Sequence, residues 1–364
     1  ATPVLPAGPA SFVLVRSPLK AARPWRKDSG LATAEITVRG AGIFGLSIAW
    51  VLTQRGARVQ VIDPFGPAAG ASGGIVGALA PHVPENWNPK KQFQLESLLM
   101  AADFWLQVEQ AGGRSAGYAR SGRVQPIANE AALALAHGRA DTAKALWGDA
   151  AHWIVRPIAD PNWCAPSDTG FEIFDTLSGR IHPQQACMAL VAALQAHGVT
   201  VTTDGPDTPV TVHATGVAGL EALNATHTRM VGAGIKGQAA LLGFAAPEAP
   251  QLFADTLHII PHADGTTAIG STTEREYNDA TGTDAQLDDI LARACAAVPA
   301  LRGAPVVARW AGLRPRSRSR APMLGAWPDR PGHFVANGGF KIGFGMAPKV
   351  AHVMADLILN AQDS

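Results

Sequence analysis

The stretch Arg39-Gly40-Ala41-Gly42-Ile43-Phe44-Gly45 decides the fold, because it places the spacing GxGxxG between a predicted strand and a predicted helix. Hydrophobic patterning predicts strands at Ile36–Val38 and Arg58–Ile62 and a helix at Leu46–Arg55, which together make a βαβ unit. The glycines permit a tight turn and close approach of the backbone to a pyrophosphate, which the helix N-terminus attracts with free N–H groups. Asp63, at the end of the second strand, is expected to accept a hydrogen bond from a ribose. The segment predicts a dinucleotide site, and both FAD and NAD remain open.

A second glycine-rich segment, residues 70–81 (GASGGIVGALAP), follows soon after Asp63. It contains too many glycines for an ordinary helix or strand, so its backbone is expected to lie close to another group. A loop packed on an extended cofactor and a flexible linker between domains both fit this composition.

Composition and charge limit the class of protein. The chain has 364 residues, of which 47% are hydrophobic and 16% charged, so it predicts a globular protein of two domains. Lys and Arg number 30 against 29 Asp and Glu, which gives no overall field that would attract nucleic acid. The three widely spaced cysteines favour neither a disulfide framework nor a zinc site and fit a cytoplasmic protein. No transmembrane segment is expected, since a spanning helix needs about 20 consecutive, predominantly apolar residues and the long uncharged runs are interrupted by glycine and proline.

No metal site is expected either. His258 and His262 are the nearest candidate pair, and on a strand they would lie about 13 Å apart, too far to bind one ion. Residues 1–34 contain scattered prolines and basic residues without a period, so they predict a flexible arm outside the core. Their charge follows the short apolar stretch Ser11–Val15, which argues against a secretory signal, whereas an organelle transit peptide stays open.

Hydrophobic periodicity predicts further elements beyond the βαβ unit. Helices are expected at Lys91–Gln110, Glu130–Trp147, Pro183–His197, Asp284–Val298 and Ala347–Gln362, and strands at Val199–Thr202, Thr208–His213, Leu257–Ile260, Thr267–Ile269 and His333–Ala336. This order predicts an α/β protein with an inserted β-rich part.

Several separated stretches resemble the family of FAD-dependent amine oxidoreductases that contains glycine oxidase and D-amino-acid oxidase. The resemblance runs from about Ile36 to the end of the chain. Besides the two glycine-rich segments, it rests on Gly179–Pro183, Val212–Gly216, Lys236–Gln238, Ile260-Pro261 with Ile269–Thr272, Trp310–Pro315 with Pro322–Gly325, and Gly338–Gly343 with Ala347-Pro348.

The resemblance implies a Rossmann-like FAD-binding domain with an interleaved α+β substrate domain built on an antiparallel sheet. The implied FAD-binding parts are residues 36–90, 171–230 and 306–362, and the implied substrate parts are residues 91–170 and 231–305. The stretch from Val199 to Thr215 is shorter than the usual hairpin of the family, so adenine contacts from that hairpin are not carried over.

The resemblance also implies which residues hold FAD. The FAD is expected to be noncovalently bound, because the segments that resemble the flavin loops of the family contain no cysteine. Those at the pyrophosphate and ribose are Gly40, Gly42, Ile43, Phe44, Gly45, Asp63 and Pro64, and those at the flavin are Ala71, Ser72, Val76, Gly77, Ala78, Gly339, Phe340, Lys341, Ile342, Gly343, Phe344 and Gly345. The last predicted helix, with Pro348 in its first turn, is expected to direct its positive end toward the flavin.

Three residues carry the implied substrate chemistry. Arg314 is expected to pair with the substrate carboxylate, a role that suits a planar guanidinium, although an ion pair at a domain interface is the alternative. His258 stands where glycine oxidase has a tyrosine, and Lys341 where it has an arginine, which leaves the substrate open. The other arginines between Arg309 and Arg320 fit a solvated face or an anion-attracting rim.

The implied function is oxidation of a small amine or α-amino acid, of the glycine, sarcosine or D-amino-acid type, with O2 as acceptor. Three alternatives are a dehydrogenase that passes electrons to a quinone, the oxidase half of a tRNA-modifying enzyme, and a non-catalytic flavoprotein. Substrate chirality and assembly into a homo-oligomer stay open.

Overall fold

The computed structural model describes residues 35–360, so the predicted arm and the last four residues lie outside the described range. Sixteen strands and seven α-helices are distinguished in that range. In chain order they are β1 (Glu35–Arg39), α1 (Ile43–Gln54), β2 (Arg58–Ile62), β3 (Ala78–Leu79), α2 (Pro89–Gly112), β4 (Arg123–Pro126), α3 (Glu130–Trp147), β5 (Trp153–Pro157), β6 (Phe171–Asp175), β7 (Gly179–Arg180), α4 (Pro183–Ala196), β8 (Val201–Thr202), β9 (Val210–His213), α5 (Gly216–Thr226), β10 (Gly232–Leu242), β11 (Gln251–Ala254), β12 (Leu257–Pro261), β13 (Thr267–Gly270), α6 (Ala285–Ala297), β14 (Val306–Ser317), β15 (Met323–Ala326), β16 (His333–Asn337) and α7 (Gly343–Asn360).

The predicted βαβ unit forms the centre of a six-stranded sheet with the order β15-β16-β9-β1-β2-β8. All neighbours are parallel except β15 and β16. Ile36 and Val38 on one face of β1 and Thr37 on the other are fully buried, which is typical of a parallel strand covered on both faces. Because β1 connects to β2 on one side and pairs with β9 on the other, the order of strands reverses at the end of β1, where open α/β sheets bind ligands.

The inserted β-rich part is an eight-stranded sheet with the order β14-β10-β13-β12-β11-β4-β6-β5. Its neighbours are antiparallel except β4 and β11. Its separate core contains Leu252, Ile259 and Ile269, which are fully buried, together with side chains of α6. The mixed α/β architecture with a Rossmann-like parallel sheet and a second, antiparallel sheet is therefore confirmed.

Two strands cross the predicted domain boundaries. β6 and β14 fall within the residues assigned from sequence to the FAD-binding part, yet both form ladders inside the eight-stranded sheet. β14 pairs along its length with β10, so it closes one edge of this sheet. The division into domains otherwise stays a prediction.

Helices α1 and α7 begin earlier than the sequence predicted. The sequence analysis began these helices at Leu46 and Ala347 and assigned Gly40–Gly45 and Gly339–Gly345, which precede them, to the cofactor. Glycine disfavours helices, but tertiary packing overrides this preference here: Gly345 is buried in α7, which packs against α1 and α2. The expectation that Pro348 lies in the first turn was wrong, since Pro348 lies inside α7.

One helical run within residues 35–360, Phe340–Asn360, is long and apolar enough by composition to cross a membrane. Half of its apolar window is buried in the fold, where α7 packs against α1 and α2. Val350, Ala351, Met354 and Ile358 of this helix are fully buried. This burial is typical of the core helix of a folded domain.

Candidate cofactor and substrate site

A cavity of about 960 Å³ lies between the carboxyl end of β1 and one face of the eight-stranded sheet. It brings together residues that the sequence analysis took from widely separated stretches. The predicted site residues that line it are Gly40, Gly42, Ile43, Phe44, Asp63, Pro64, Ala71, Ser72, Val76, Ala78, His258, Arg314, Gly339, Phe340, Lys341, Ile342, Gly343 and Phe344.

Three predicted cofactor residues do not line this cavity. A Cβ on Gly45 would lie 1.8 Å from the carbonyl oxygen of Gly40, and one on Gly77 would lie 1.5 Å from the carbonyl oxygen of Ile181. Gly345 is buried in α7. Gly45 and Gly77 therefore let backbone segments pack closely beneath the cavity, instead of facing a ligand.

The nucleotide end of the cavity is formed by backbone and by one carboxylate. Gly40 has φ +104° and a Cβ there would lie 2.3 Å from the carbonyl oxygen of Ala214, so only glycine fits this turn. Asp63 accepts hydrogen bonds from the N–H groups of Ala41 (2.8 Å) and Phe65 (3.0 Å). Helix α1 carries no acidic residue in its first turn, and its first N–H groups have no partner within the helix, which suits a pyrophosphate.

Two side chains fix the second glycine-rich segment against the rest of the cavity. Ser72 accepts a hydrogen bond from the Ile43 N–H (2.9 Å), which ties this segment to the start of α1. The Nε2 of the buried His262 lies 3.0 Å from the carbonyl oxygen of Ile75. Burial lowers the pKa of His262 to about 4, so a neutral ring donates this bond at neutral pH. His262 thus holds a loop, a role that the sequence analysis did not consider.

The start of α7 faces the cavity through Gly343 and Phe344, directly after a short helical turn at Phe340–Ile342. The N-terminus of a helix carries a partial positive charge that stabilises an anion. The predicted direction of this helix agrees with its position, although it begins four residues earlier than predicted.

Arg314 is held in place by three hydrogen bonds to protein oxygens. Its Nη1 donates to Ser271 Oγ (2.7 Å), and its Nη2 donates to the carbonyl oxygens of Lys236 (3.2 Å) and Thr272 (2.5 Å). Its Nε is buried with no partner, and no carboxylate in the described part of the chain lies within 4.0 Å of the guanidinium. Burial lowers the pKa of Arg314 to about 10, partly offset by Glu274, so the group stays charged at neutral pH. A buried, oriented cation of this kind is suited to an anionic ligand.

Lys341 and His258 differ in charge at neutral pH. Burial and the nearby charge of Arg314 lower the pKa of Lys341 to about 8, which leaves it mostly protonated at pH 7. Burial, Arg123 and Lys341 lower the pKa of His258 to about 3, so its ring is neutral. The Nδ1 of His258 is buried without a partner. The cavity therefore offers two cations and one neutral imidazole near each other.

The sequence analysis assigned no role to three other residues that line the cavity on the side of the eight-stranded sheet, namely Arg123, Phe253 and Ser271. Arg123 comes from β4, which was not predicted as a strand, and no motif marked it. Pairing of Phe253 with His258 across β11 and β12 could have been inferred only with the hairpin register in hand.

Comparison with known proteins fits this geometry. The family model described as DAO, FAD dependent oxidoreductase, matches residues 35–357. The chain belongs to this family. FAD, the cofactor implied by the resemblance, is confirmed by this family, and so is an FAD-dependent oxidoreductase.

Curated proteins and solved structures similar to this DAO family member include glycine oxidases. A glycine oxidase of Pseudomonas putida is 36% identical over 129 residues, which is 35% of this chain and 35% of the relative. A bifunctional protein ThiO/ThiG of a Nostoc species is 26% identical, over 90% of this chain and 53% of the relative. The crystal structure of glycine oxidase from Geobacillus kaustophilus has a TM-score of 0.78 at 21% identity, covering 90% of this chain and 95% of that one. The match to P. putida spans only about a third of either protein.

The residues present fit FAD. Gly40 and Gly42 bring backbone without side chains to the cavity beside the start of α1, and Asp63 closes the same end. At the other end, Lys341 and the N-terminus of α7 supply positive charge beside the short turn at Phe340–Ile342. Within residues 35–360, no three His, Cys, Asp or Glu side chains gather where an ion could be held.

Proposed function

We propose that the protein oxidises a small amine or α-amino acid, of the glycine, sarcosine or D-amino-acid type, to an imine that water then hydrolyses. One observation carries this proposal: the buried Arg314, with no carboxylate partner in the described chain, lines the same cavity as Gly40 and Gly42 of the nucleotide turn. A substrate carboxylate at Arg314 would thus lie in the cavity that holds FAD. FAD, when bound, supplies the acceptor for the hydride that leaves the carbon next to nitrogen.

In this proposal the protein residues bind and orient the substrate and stabilise charge. Arg314, fixed by Ser271, Lys236 and Thr272, orients the carboxylate before reaction and so reduces the entropic cost of reaction. Lys341 and the N-terminus of α7 stabilise negative charge that develops in the cavity. The neutral His258 can accept a hydrogen bond from the substrate without adding charge. An amine that enters unprotonated needs no acid–base pair from the protein.

We infer O2 as the acceptor, with hydrogen peroxide as product, and keep quinone reduction as the alternative. The tRNA-modifying alternative required the arginines between Arg309 and Arg320 to form one basic surface. Arg309 pairs with Asp288 (2.7 Å) and Arg314 is buried in the cavity, so these two do not contribute free charge to such a surface. This arrangement favours a small-molecule substrate over RNA.

The experiment is an anaerobic titration of the purified flavoprotein with glycine, sarcosine, and D- and L-amino acids, following the visible absorbance of the oxidised flavin. Bleaching by an amine, followed by recovery and peroxide release on admission of air, supports oxidase activity. Bleaching that is reversed by a quinone but not by air supports the dehydrogenase. No bleaching by any amine, while dithionite still reduces the flavin, would contradict amine oxidation.

A further inference from the structure

The wall of the cavity formed by the eight-stranded sheet carries a second arginine, Arg123, which none of the roles above uses. Arg123 lies on β4 and is 6% exposed. Its Nε donates to Asp175 Oδ2 at 2.9 Å, and Asp175 is fully buried. Among the described residues its two Nη groups have no protein acceptor, and they are open to the cavity. Four N–H donors of a buried guanidinium therefore face a space where a ligand can lie.

Arg123 and Arg314 lie on the same face of the sheet, on opposite sides of His258. Phe253 of β11 pairs with His258 of β12, which in turn pairs with Gly270 of β13, and residues directly opposite each other share a face. The Arg123 Cζ lies 5.9 Å from the centre of the Phe253 ring. At the other side, Arg314 reaches across β10 to Ser271, just past the end of β13.

The spacing of these strands sets the length of ligand that both arginines can hold. The guanidinium of Arg314 lies near the end of β13, and that of Arg123 lies between β4 and the Phe253 ring of β11. The two groups are therefore separated by two to three strand spacings, roughly 10 to 14 Å. A charge-assisted hydrogen bond at either end takes up about 2.8 Å. The two acceptor groups of a bridging ligand would then lie roughly 4 to 8 Å apart. Two carboxylates joined by a chain of two to four atoms span this distance.

The charges around this wall select the same kind of ligand. Asp63 is the one carboxylate among the described residues that line the cavity, and it lies at the nucleotide end. The substrate end therefore presents Arg314, Lys341 and the free face of Arg123, with nothing to pair a cationic side group. Because burying an unpaired cation is costly, a diamine is disfavoured there.

We propose that Arg123 forms a second anion subsite, so that the preferred substrate is an amino dicarboxylate that bridges Arg314 and Arg123. The claim that the dicarboxylate is oxidised rests on the proposed function, whereas the claim that Arg123 binds its second carboxylate does not. Phe253 and His258 lie between the two arginines and would contact the chain that joins the carboxylates.

The test compares ligands of equal length that cannot be oxidised. Purified holoenzyme is titrated with succinate against butyrate and glutarate against pentanoate, following the change in the flavin spectrum. The dicarboxylate of at least one pair is expected to bind at least about tenfold more tightly, as one added charge-assisted contact predicts. Equal dissociation constants within both pairs would overturn the proposal.

The variant Arg123→Lys keeps a cation beside the buried Asp175 and removes the free face of the guanidinium, so the fold should survive. The ratio of monocarboxylate to dicarboxylate dissociation constants is expected to fall toward one. Arg156→Lys is the matched control, because Arg156 pairs with Glu172 (2.8 Å) in the same sheet away from the cavity, and it should keep the parental ratio. An undiminished ratio in Arg123→Lys would contradict the assignment.

A parallel anaerobic titration with aspartate, glutamate and iminodiacetate separates this proposal from the proposed function. Bleaching by sarcosine or glycine, without preference for any dicarboxylate in either assay, would overturn the subsite and leave amine oxidation standing. A preference for dicarboxylate binding without bleaching by any amine would support the subsite and contradict amine oxidation.

Discussion

Replacement of Arg314 by methionine tests the carboxylate site most directly, because methionine keeps much of the length of the side chain and removes its charge. The guanidinium of Arg314 packs directly on Gly237 of the neighbouring strand β10, where an added Cβ would lie 2.4 Å from its Cζ. The absence of a side chain at Gly237 therefore makes room for the guanidinium. The variant loses the three hydrogen bonds that fix this group and the charge-assisted pair with a ligand carboxylate.

A hydrogen bond to a charged group contributes about 1.5 to 3 kcal/mol. At 1.4 kcal/mol for each factor of ten, the dissociation constant of a carboxylate ligand should rise about 10- to 150-fold. The assay is a titration of the holoenzyme with acetate and with sarcosine under nitrogen, read from the flavin spectrum. FAD should be retained, since Arg314 is not one of the residues that form the nucleotide end.

Arg309→Met is the matched control, because Arg309 lies on the same strand and pairs with the exposed Asp288 at the surface. Exposed pairs contribute at most about 1 kcal/mol, and this one is not in the cavity. Ligand binding by this variant should match the parent. If Arg314→Met binds acetate as tightly as the parent, the substrate carboxylate must lie elsewhere and the orientation argued for the reaction fails.

Three further predictions follow from the same site. FAD should be released into the supernatant by acid precipitation, and colour kept in the pellet would indicate a covalent bond. Because the pKa of Lys341 is lowered to about 8, its ammonium is lost as the pH rises through that value, and the rate of flavin reduction should fall above pH 8. The variant Lys341→Arg keeps its charge there and should show a smaller decline. A parental rate that does not decline above pH 8 would refute this role of Lys341. Gly77→Ala should prevent stable retention of FAD, because the added Cβ would collide with the carbonyl oxygen of Ile181 beneath the cavity. Gly138→Ala in α3 is the control: its Cβ would meet nothing within 4 Å, and it should raise the free energy of unfolding by about 0.5–1 kcal/mol.

The sequence predicted best the helices and strands that have a local hydrophobic pattern, although α5 and β15 of the parallel half were not predicted. β2 and α3 have the predicted bounds, and β1, α2 and α4 differ by one or two residues at their ends. The long strands β10 and β14 were missed, since GAGIKGQAALL and VVARWAGLRPRS have no strict alternation. Their pairing depends on contacts between residues about 70 positions apart, which no local pattern shows.

The cofactor end of the site could be predicted for the same reason. Gly40–Gly45 and Asp63 lie close in the chain, and each has a stereochemical reason to be there. The substrate end combines β4, β11, β12 and β14, so its members are neighbours only in the folded sheet. The role of Arg314 was predicted from the resemblance and from the suitability of a planar guanidinium, and it stays a prediction, whereas Arg123 had no signal in the sequence.

The two ends of the cavity also differ in how they reach specificity. At the nucleotide end, backbone groups and glycines recognise a ligand that every member of such a fold can share, so few side chains are free to vary there. At the substrate end, side chains of four strands point into one space, and changing one of them alters charge or length without disturbing the ladders. His258 and Lys341 stand where glycine oxidase is expected to have tyrosine and arginine, and both changes lie at this end. Under the proposed function, the chemistry of the cofactor can therefore stay constant while the choice of amine changes.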